Sequence, residues 1–144
     1  MLVLAPSGSG NTNFVVHLFN LFCQGKGTFS QVLIVTKHSS EPLYDWLKTK
    51  SDQIIIKEGL SSNLPPLDDK VEKDIQKLVI LDDLILEKNQ SNVESYFVRC
   101  RKFGWSIVYI SQSYFRITKP IRLNANYVAL LKIGIAFCLK HVLV

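Results

Sequence analysis

Short, unbroken apolar runs are separated by longer polar stretches along this chain. The runs lie at residues 2–5, 32–36, 54–56, 78–81, 106–111 and 127–131. Apolar residues that do not alternate with polar ones are typical of strands buried on both faces, as in parallel sheets. The pattern predicts an α/β fold of three layers, in which helices cover both faces of a mainly parallel central sheet.

The stretches between these runs predict helices and connections. Helices are expected over 12–23, 41–48 and 91–102. Pro42 suits the first turn of the second helix, because proline lacks only an N–H that has no partner there. Residues 58–76 are interpreted as a surface connection with one or two helical turns, and 113–125 as an irregular basic segment around Pro120. Beyond Lys132, periodicity does not distinguish strand from helix.

Length and composition indicate one domain. The chain has 144 residues, 47% of them hydrophobic and 20% charged, which allows one core and excludes a disordered chain. We expect a domain over 1–132 and a divergent apolar tail without an assigned role over 133–144. The apolar stretches are too interrupted for a membrane span, and no charged segment precedes an apolar signal. We therefore expect a soluble, intracellular protein whose three cysteines are reduced and bind no zinc.

Charge is distributed unevenly along the chain. All 12 acidic residues lie at or before Glu94, and the remainder carries only basic charges. These are Arg99, Arg101, Lys102, Arg116, Lys119, Arg122, Lys132 and Lys140. Such asymmetry favours a polyanionic partner, either the phosphates of a nucleotide or those of DNA, although a solvated basic face would have the same composition.

A glycine-rich segment between the first strand and the first helix is a candidate phosphate loop. Its candidate nucleotide-binding residues are Ser7, Gly8, Ser9, Gly10, Asn11, Thr12 and Asn13. Glycines let backbone N–H groups surround phosphate oxygens, and the helix dipole favours the negative charge. Thr12 stands where a hydroxyl would bind Mg²⁺, but Ala5 and Asn11 replace the first glycine and the lysine of GxxxxGK[ST]. A glycine-rich turn without a ligand is the alternative.

Two further strand ends carry polar side chains. Asp82 and Asp83 follow an apolar strand, where Asp82 suits Mg²⁺ and Asp83 suits an attacking water. Alone, they would equally fit a helix cap. Gln112 follows the next strand and could lie between Asp83 and a γ-phosphate. Because ligands bind at the carboxyl ends of parallel strands, we expect these residues to lie near the glycine-rich loop.

With these residues identified, the chain resembles the genome-packaging ATPases of poxviruses, other large DNA viruses and Maverick (Polinton) transposons, within the FtsK–HerA group of P-loop NTPases. The resemblance covers about residues 2–132. It is carried by Pro6-Ser7-Gly8-Ser9-Gly10 with Thr12-Asn13-Phe14, by Leu78 to Leu84, and by Tyr109-Ile110-Ser111-Gln112-Ser113-Tyr114-Phe115, continuing through Ile117, Lys119 to Arg122 and Asn124 to Tyr127. Softer likenesses include Glu41-Pro42-Leu43-Tyr44 and Leu64 to Asp68.

The resemblance implies a P-loop fold and a function. It implies ATP hydrolysis with Mg²⁺ in a homo-oligomeric ring that moves double-stranded DNA into a capsid, with capsid or other virion-like proteins as partners and no membrane. Asp83, Gln112 and Arg122 would be catalytic, with Arg122 a candidate for signalling between subunits, and Thr12 and Asp82 would bind the metal. Asn11 and the tail depart from the family, so a diverged or C-terminally truncated, inactive homologue is the alternative.

Overall fold

The computed structural model describes residues 1–22, 28–60, 63–67 and 75–131, except for the side chains of Asn11 and Thr12. The strands in this part are β1 (Leu2–Leu4), β2 (Gln31–Thr36), β3 (Ile54–Glu58), β4 (Lys77–Asp82), β5 (Trp105–Ser111) and β6 (Val128–Leu130). The helices are α1 (Asn11–Phe22), α2 (Pro42–Lys48), α3 (Ser91–Arg99) and α4 (Lys119–Leu123), with a 3₁₀ turn at Cys100–Phe103.

The strands form one six-stranded sheet in the order β3-β2-β4-β5-β1-β6, and every pair is parallel. The connections from β1 to β2 and from β2 to β3 run towards one edge of the sheet. Those from β4 to β5 and from β5 to β6 run towards the other edge. Because crossovers between parallel strands are right-handed, helices on connections in opposite directions cover opposite faces. The predicted three-layer α/β fold with a mainly parallel sheet is confirmed.

Two separate cores lie on the two faces of the sheet. Even-numbered residues of β2, β4 and β5 pack with Val15, Leu18 and Phe19 of α1 and with Tyr44 and Leu47 of α2. The odd-numbered residues of these strands pack against α3 and α4 on the other face. The continuous apolar runs are thereby explained, because each successive side chain enters one core or the other.

The structure corrects two helix predictions. Residues 113–125 are not wholly irregular, since α4 occupies Lys119–Leu123 and packs Ile121 into the core beside α3. The predicted third helix ends early, because α3 stops at Arg99 and a 3₁₀ turn continues to Phe103. Gly104 closes this turn with a φ of 72°, a left-handed conformation that glycine adopts without steric cost.

Some sequence predictions fall only partly within the described residues. Residues 61–62 and 68–74 of the 58–76 connection and the whole tail 133–144 lie outside them, as do Cys23 and Cys138. Cys100 is described and is a buried, free thiol. Within the described ranges, none of the helices has the length and apolar character that crossing a membrane requires.

Candidate functional site

The sheet register places three polar strand ends side by side. β5 lies between β1 and β4, with Leu4 beside Ser111 and Ile110 beside Asp82. The backbone N–H of Ala5 extends this pairing by donating to the Ser111 carbonyl at 3.0 Å. The glycine-rich loop, Gln112 and the two aspartates therefore leave the same edge of the sheet on neighbouring strands. This is the arrangement that the sequence predicted.

The glycine-rich loop turns sharply between β1 and α1. Gly8 and Gly10 have φ values of 73° and 95°, which other residues adopt only with strain. A Cβ added at either glycine would meet no atom within 4 Å, so the surface of the loop is open at both positions. The Ser9 N–H donates to the Pro6 carbonyl at 3.0 Å and closes the turn. The loop thus exposes backbone directly before a 12-residue helix.

The structure describes the side chains of some of the loop residues predicted to bind nucleotide, and only the backbone of others. Ser7 and Gly8 are exposed, and Asn13 is exposed in the first turn of α1. The backbones of Asn11 and Thr12 begin α1, but their side chains lie outside what the structure describes. The role of the Thr12 hydroxyl toward a metal, and that of the Asn11 amide toward phosphates, therefore stay predictions.

Asp82 lies at the end of β4 and is held by a tyrosine from α2. The Tyr44 hydroxyl donates a short hydrogen bond to Asp82 Oδ2. Burial raises the pKa of the Asp82 carboxyl, the bond from Tyr44 opposes the shift, and the charges of Glu41 and Asp83 add to the rise. Two further carboxylates, Glu41 and Asp83, thus lie close enough to disfavour the charge on Asp82, and a bound cation would relieve that repulsion.

Asp83 adopts an unusual backbone conformation beside Gln112. Its φ is 53°, the only positive value among the described non-glycine residues. Aspartate tolerates this region better than most residues, but the conformation is still strained, and such strain concentrates at functional sites. Gln112 Nε2 donates to Asp83 Oδ1 at 3.3 Å across the ends of β4 and β5. The predicted proximity of these two side chains is thus present.

An open depression adjoins Asp83 on the side of β2. It is lined by Lys37, Asp83, Leu86, Glu87, Lys88 and Asn89. Lys37 follows Thr36, whose register partner is Asp82, so Lys37 and Asp83 leave adjacent strands at the same level. The depression is therefore lined by positive and negative side chains. The exposed Lys37 lines it together with Asp83.

Arg122, the remaining predicted site residue, contacts a tyrosine that follows Gln112 in the chain. It is on α4, and its guanidinium stacks 5.0 Å from the centre of the Tyr114 ring. Its Nε is buried without a hydrogen-bond partner among the described residues. No hydrogen bond joins Arg122 to Asp83 or Gln112 in the described part of the chain. The structure therefore brings Asp82, Asp83 and Gln112 to the same sheet edge as the loop, and the described contact of Arg122 is with Tyr114.

Tyr44 contacts Asp82 in the candidate site, although no sequence motif indicated a role for it. It is 1% exposed and lies in the segment Glu41 to Tyr44, which resembles the packaging ATPases only weakly. The available signal was a tyrosine at a buried position of a short helix. Local pattern gives no reason for its hydroxyl to face Asp82, because 38 residues separate the two in sequence.

The residues present fit a nucleotide with its metal. Mg²⁺ bound with a nucleotide is held by one or two carboxylates, water and phosphate oxygens. Asp82, at the same sheet edge as the open glycine loop with β5 between their strands, would supply the protein share. Among the described residues, no group of three or more His, Cys, Asp or Glu side chains could hold a metal unaided.

Comparisons with known proteins give no relatives. No protein-family model matches the chain, and neither a curated protein nor a solved structure matches it. What the molecule establishes is a class of fold, a three-layer α/β protein with an all-parallel six-stranded sheet.

Proposed function

We propose that this protein is the ATP-binding subunit of a DNA-translocating P-loop ATPase of the genome-packaging type. Mg²⁺ and ATP are its cofactors, double-stranded DNA its substrate, and a ring of identical subunits its working form. Capsid or other virion-like proteins would be its partners, and the compartment of action is intracellular.

One observation carries the proposal. The strand ending in Gln112 lies between the strand that leads into the glycine loop and the strand that ends in Asp82 and Asp83. Nothing in the packing of an α/β core requires an open glycine turn, two carboxylates and an amide at the ends of three adjacent strands. Their coincidence supports a site for a phosphate ligand at this edge.

Each residue has a role that follows from its position. Backbone N–H groups of the loop and of the start of α1 would donate to phosphate oxygens, except that of Ser9, which already donates to the Pro6 carbonyl. Asp82 binds the metal, and Thr12 is expected to contribute its hydroxyl. Mg²⁺, when bound with ATP, neutralises the negative charge of the β- and γ-phosphates. Asp83 would orient a water for in-line attack on the γ-phosphorus and accept its proton, with ADP as the leaving group. Gln112, which donates to Asp83, would lie between that carboxylate and the γ-phosphate.

Asn11 favours a second candidate function. A side-chain amide donates hydrogen bonds but carries no charge, so the phosphates lose the contact that lysine supplies in P-loop proteins. Loss of a charge-assisted contact costs on the order of 2–4 kcal/mol of transition-state stabilisation, a rate loss of about 30- to 900-fold. The second candidate is therefore an inactive homologue that retains the fold and binds nucleotide or DNA.

Phosphate release from ATP, measured with and without duplex DNA, distinguishes the two candidates. The translocase proposal predicts release that DNA stimulates, and that falls about 100-fold or more in Asp83→Asn because the proton acceptor is lost. ATP binding without turnover in the natural chain, with turnover in Asn11→Lys, would favour the inactive homologue. Hydrolysis that is indifferent to DNA in both chains would contradict DNA translocation.

A further inference from the structure

The hydroxyl of Tyr44 is held inside the protein and directed at one carboxylate. Tyr44 is a residue of α2 and is 1% exposed. It lies in the core between the sheet and helices α1 and α2, in one cluster with Leu47, Ile34 and Ile80. Its ring therefore has little freedom, and its hydroxyl donates to Asp82 Oδ2. A buried hydroxyl requires a partner, and here the partner is the aspartate at the candidate metal position.

The elements that carry this pair fix its geometry. Tyr44 belongs to α2, which follows β2, and the last residue of β2, Thr36, pairs in register with Asp82 of β4. Thr36 is itself buried and accepts a hydrogen bond from the His38 N–H at 3.3 Å. Tyrosine, threonine and aspartate thus lie at one level of two adjacent strands and the helix packed on them.

The electrostatics agree with a donor role for the phenol. The phenol of tyrosine has an ordinary pKa of about 10, so it carries its proton at physiological pH. A neutral phenol donates one hydrogen bond and leaves the charge on the carboxylate. Bound carboxylate ligands are commonly held by such hydrogen bonds, which set the direction of the oxygen that faces the metal.

We propose that Tyr44 is a positioning residue that orients the Asp82 carboxylate, so that Oδ1 faces the Mg²⁺ of a bound nucleotide. The inference rests on the proposed function and adds to it a residue that acts through Asp82. Packing alone does not explain the hydroxyl, because a phenylalanine would fill the same space in this apolar core. The hydroxyl is needed for the direction of the carboxylate.

Tyr44→Phe tests this by removing one oxygen. ATP binding is measured by calorimetry, first in EDTA and then at increasing Mg²⁺, in the Asn11→Lys background so that affinity is high enough to follow. The inference predicts that the Mg²⁺ concentration for half-maximal enhancement rises about 10-fold or more, as found when partners of metal ligands are removed. ATP affinity in EDTA is expected to stay unchanged.

Tyr96→Phe is the matched control. Tyr96 is also buried, at 3% exposure, and its hydroxyl also donates a short hydrogen bond, but to the Pro65 carbonyl on the other face of the sheet. Removing that hydroxyl costs a buried hydrogen bond of the same kind without touching the site. Mg²⁺ dependence in Tyr96→Phe should equal that of the parent chain.

Two results would overturn the inference about Tyr44. One is an unchanged Mg²⁺ dependence in Tyr44→Phe, and the other is an equal loss of ATP affinity with and without metal, which indicates a structural role. A wrong proposed function gives a different result. The Asn11→Lys parent would then show no Mg²⁺-dependent ATP binding, and the role proposed for Tyr44 would be refuted as well.

Discussion

At the scale of single residues, we expect the charge at position 11 to determine how strongly the loop binds phosphate. Asn11→Lys places an ammonium group at the start of α1, where the glycine loop opens. Hydrogen bonds to charged groups contribute about 1.5–3 kcal/mol, so we expect ATP affinity to rise about 10- to 100-fold. Titration calorimetry measures this directly.

Asn11→Gln is the control for that substitution. It lengthens the side chain and keeps the uncharged amide, so it should leave ATP affinity within a few-fold of that of the natural chain. Equal affinity in the natural and lysine-containing chains would refute the account of the loop.

We expect the ionised Asp82 carboxylate to lower the free energy of unfolding at neutral pH, because the charged group is largely buried. Its native pKa is raised, chiefly by burial, so the native state binds this proton more tightly than the unfolded chain does. The stability that Asp82 contributes is therefore present at acid pH and lost as the pH rises through its native pKa. Asp82→Asn does not ionise and still accepts the Tyr44 hydrogen bond.

We therefore expect Asp82→Asn to unfold at a higher temperature than the natural chain at neutral pH. The difference should shrink as the solution is acidified, because the natural carboxyl then becomes protonated. Thermal unfolding followed by circular dichroism over a pH series measures both. A lower midpoint at neutral pH, or a difference independent of pH, would contradict this explanation.

Most residues of the candidate site could be predicted from sequence because they follow strands. Asp82, Asp83 and Gln112 each come directly after an apolar run, and parallel pairing brings such ends to one edge. Tyr44 could not be assigned in this way. Its partner is chosen by how α2 packs on β2 and β4, which is a tertiary property that local pattern does not contain.

At the scale of elements, α4 shows what the sequence pattern missed. Proline and basic residues around position 120 indicated an irregular segment, yet Pro120 stands in the first turn of α4, where proline is favoured. Ile117 and Ile121 are spaced as on one face of a helix, and both are buried beside α3. Five residues are too few for a helical period to be recognised, so packing rather than propensity decides this element.

The packing of α4 can be tested with two substitutions on the same helix. Ile121 is fully buried, so Ile121→Ala leaves a cavity and should lower the free energy of unfolding by about 2–5 kcal/mol. Leu123 is 73% exposed, and Leu123→Ala should change it by less than about 0.5 kcal/mol. Urea denaturation measures both, and similar losses in the two variants would show that α4 does not pack as described.

At the scale of the whole molecule, the basic half of the chain divides into two groups around β5. Arg101 and Lys102 lie in the turn that precedes β5, at the amino edge of the sheet. Arg116 and Lys119 follow its carboxyl end, on the segment that leaves Gln112, and both are exposed. Sequence alone gave the charge asymmetry but did not place these groups at different ends of a strand.

We expect duplex DNA to contact the group that follows Gln112. Each phosphate contact contributes about 0.9 to the slope of log affinity against log salt, so the double variant R116A/K119A should lower that slope by about two. The matched variant R101A/K102A should change it less. Fluorescence anisotropy with a labelled duplex at several salt concentrations measures the slopes, and binding by the natural chain that ignores salt would refute this electrostatic account.

The most direct test of the central claim is calorimetry of Mg-ATP binding to the natural chain, to Asn11→Lys and to Asp82→Ala. The account predicts measurable binding by the natural chain, tighter binding by Asn11→Lys, and a marked loss in Asp82→Ala, since Asp82 is the proposed metal ligand. Absence of binding in both the natural and lysine-containing chains, or binding that Asp82→Ala leaves intact, would contradict a nucleotide site at this edge of the sheet.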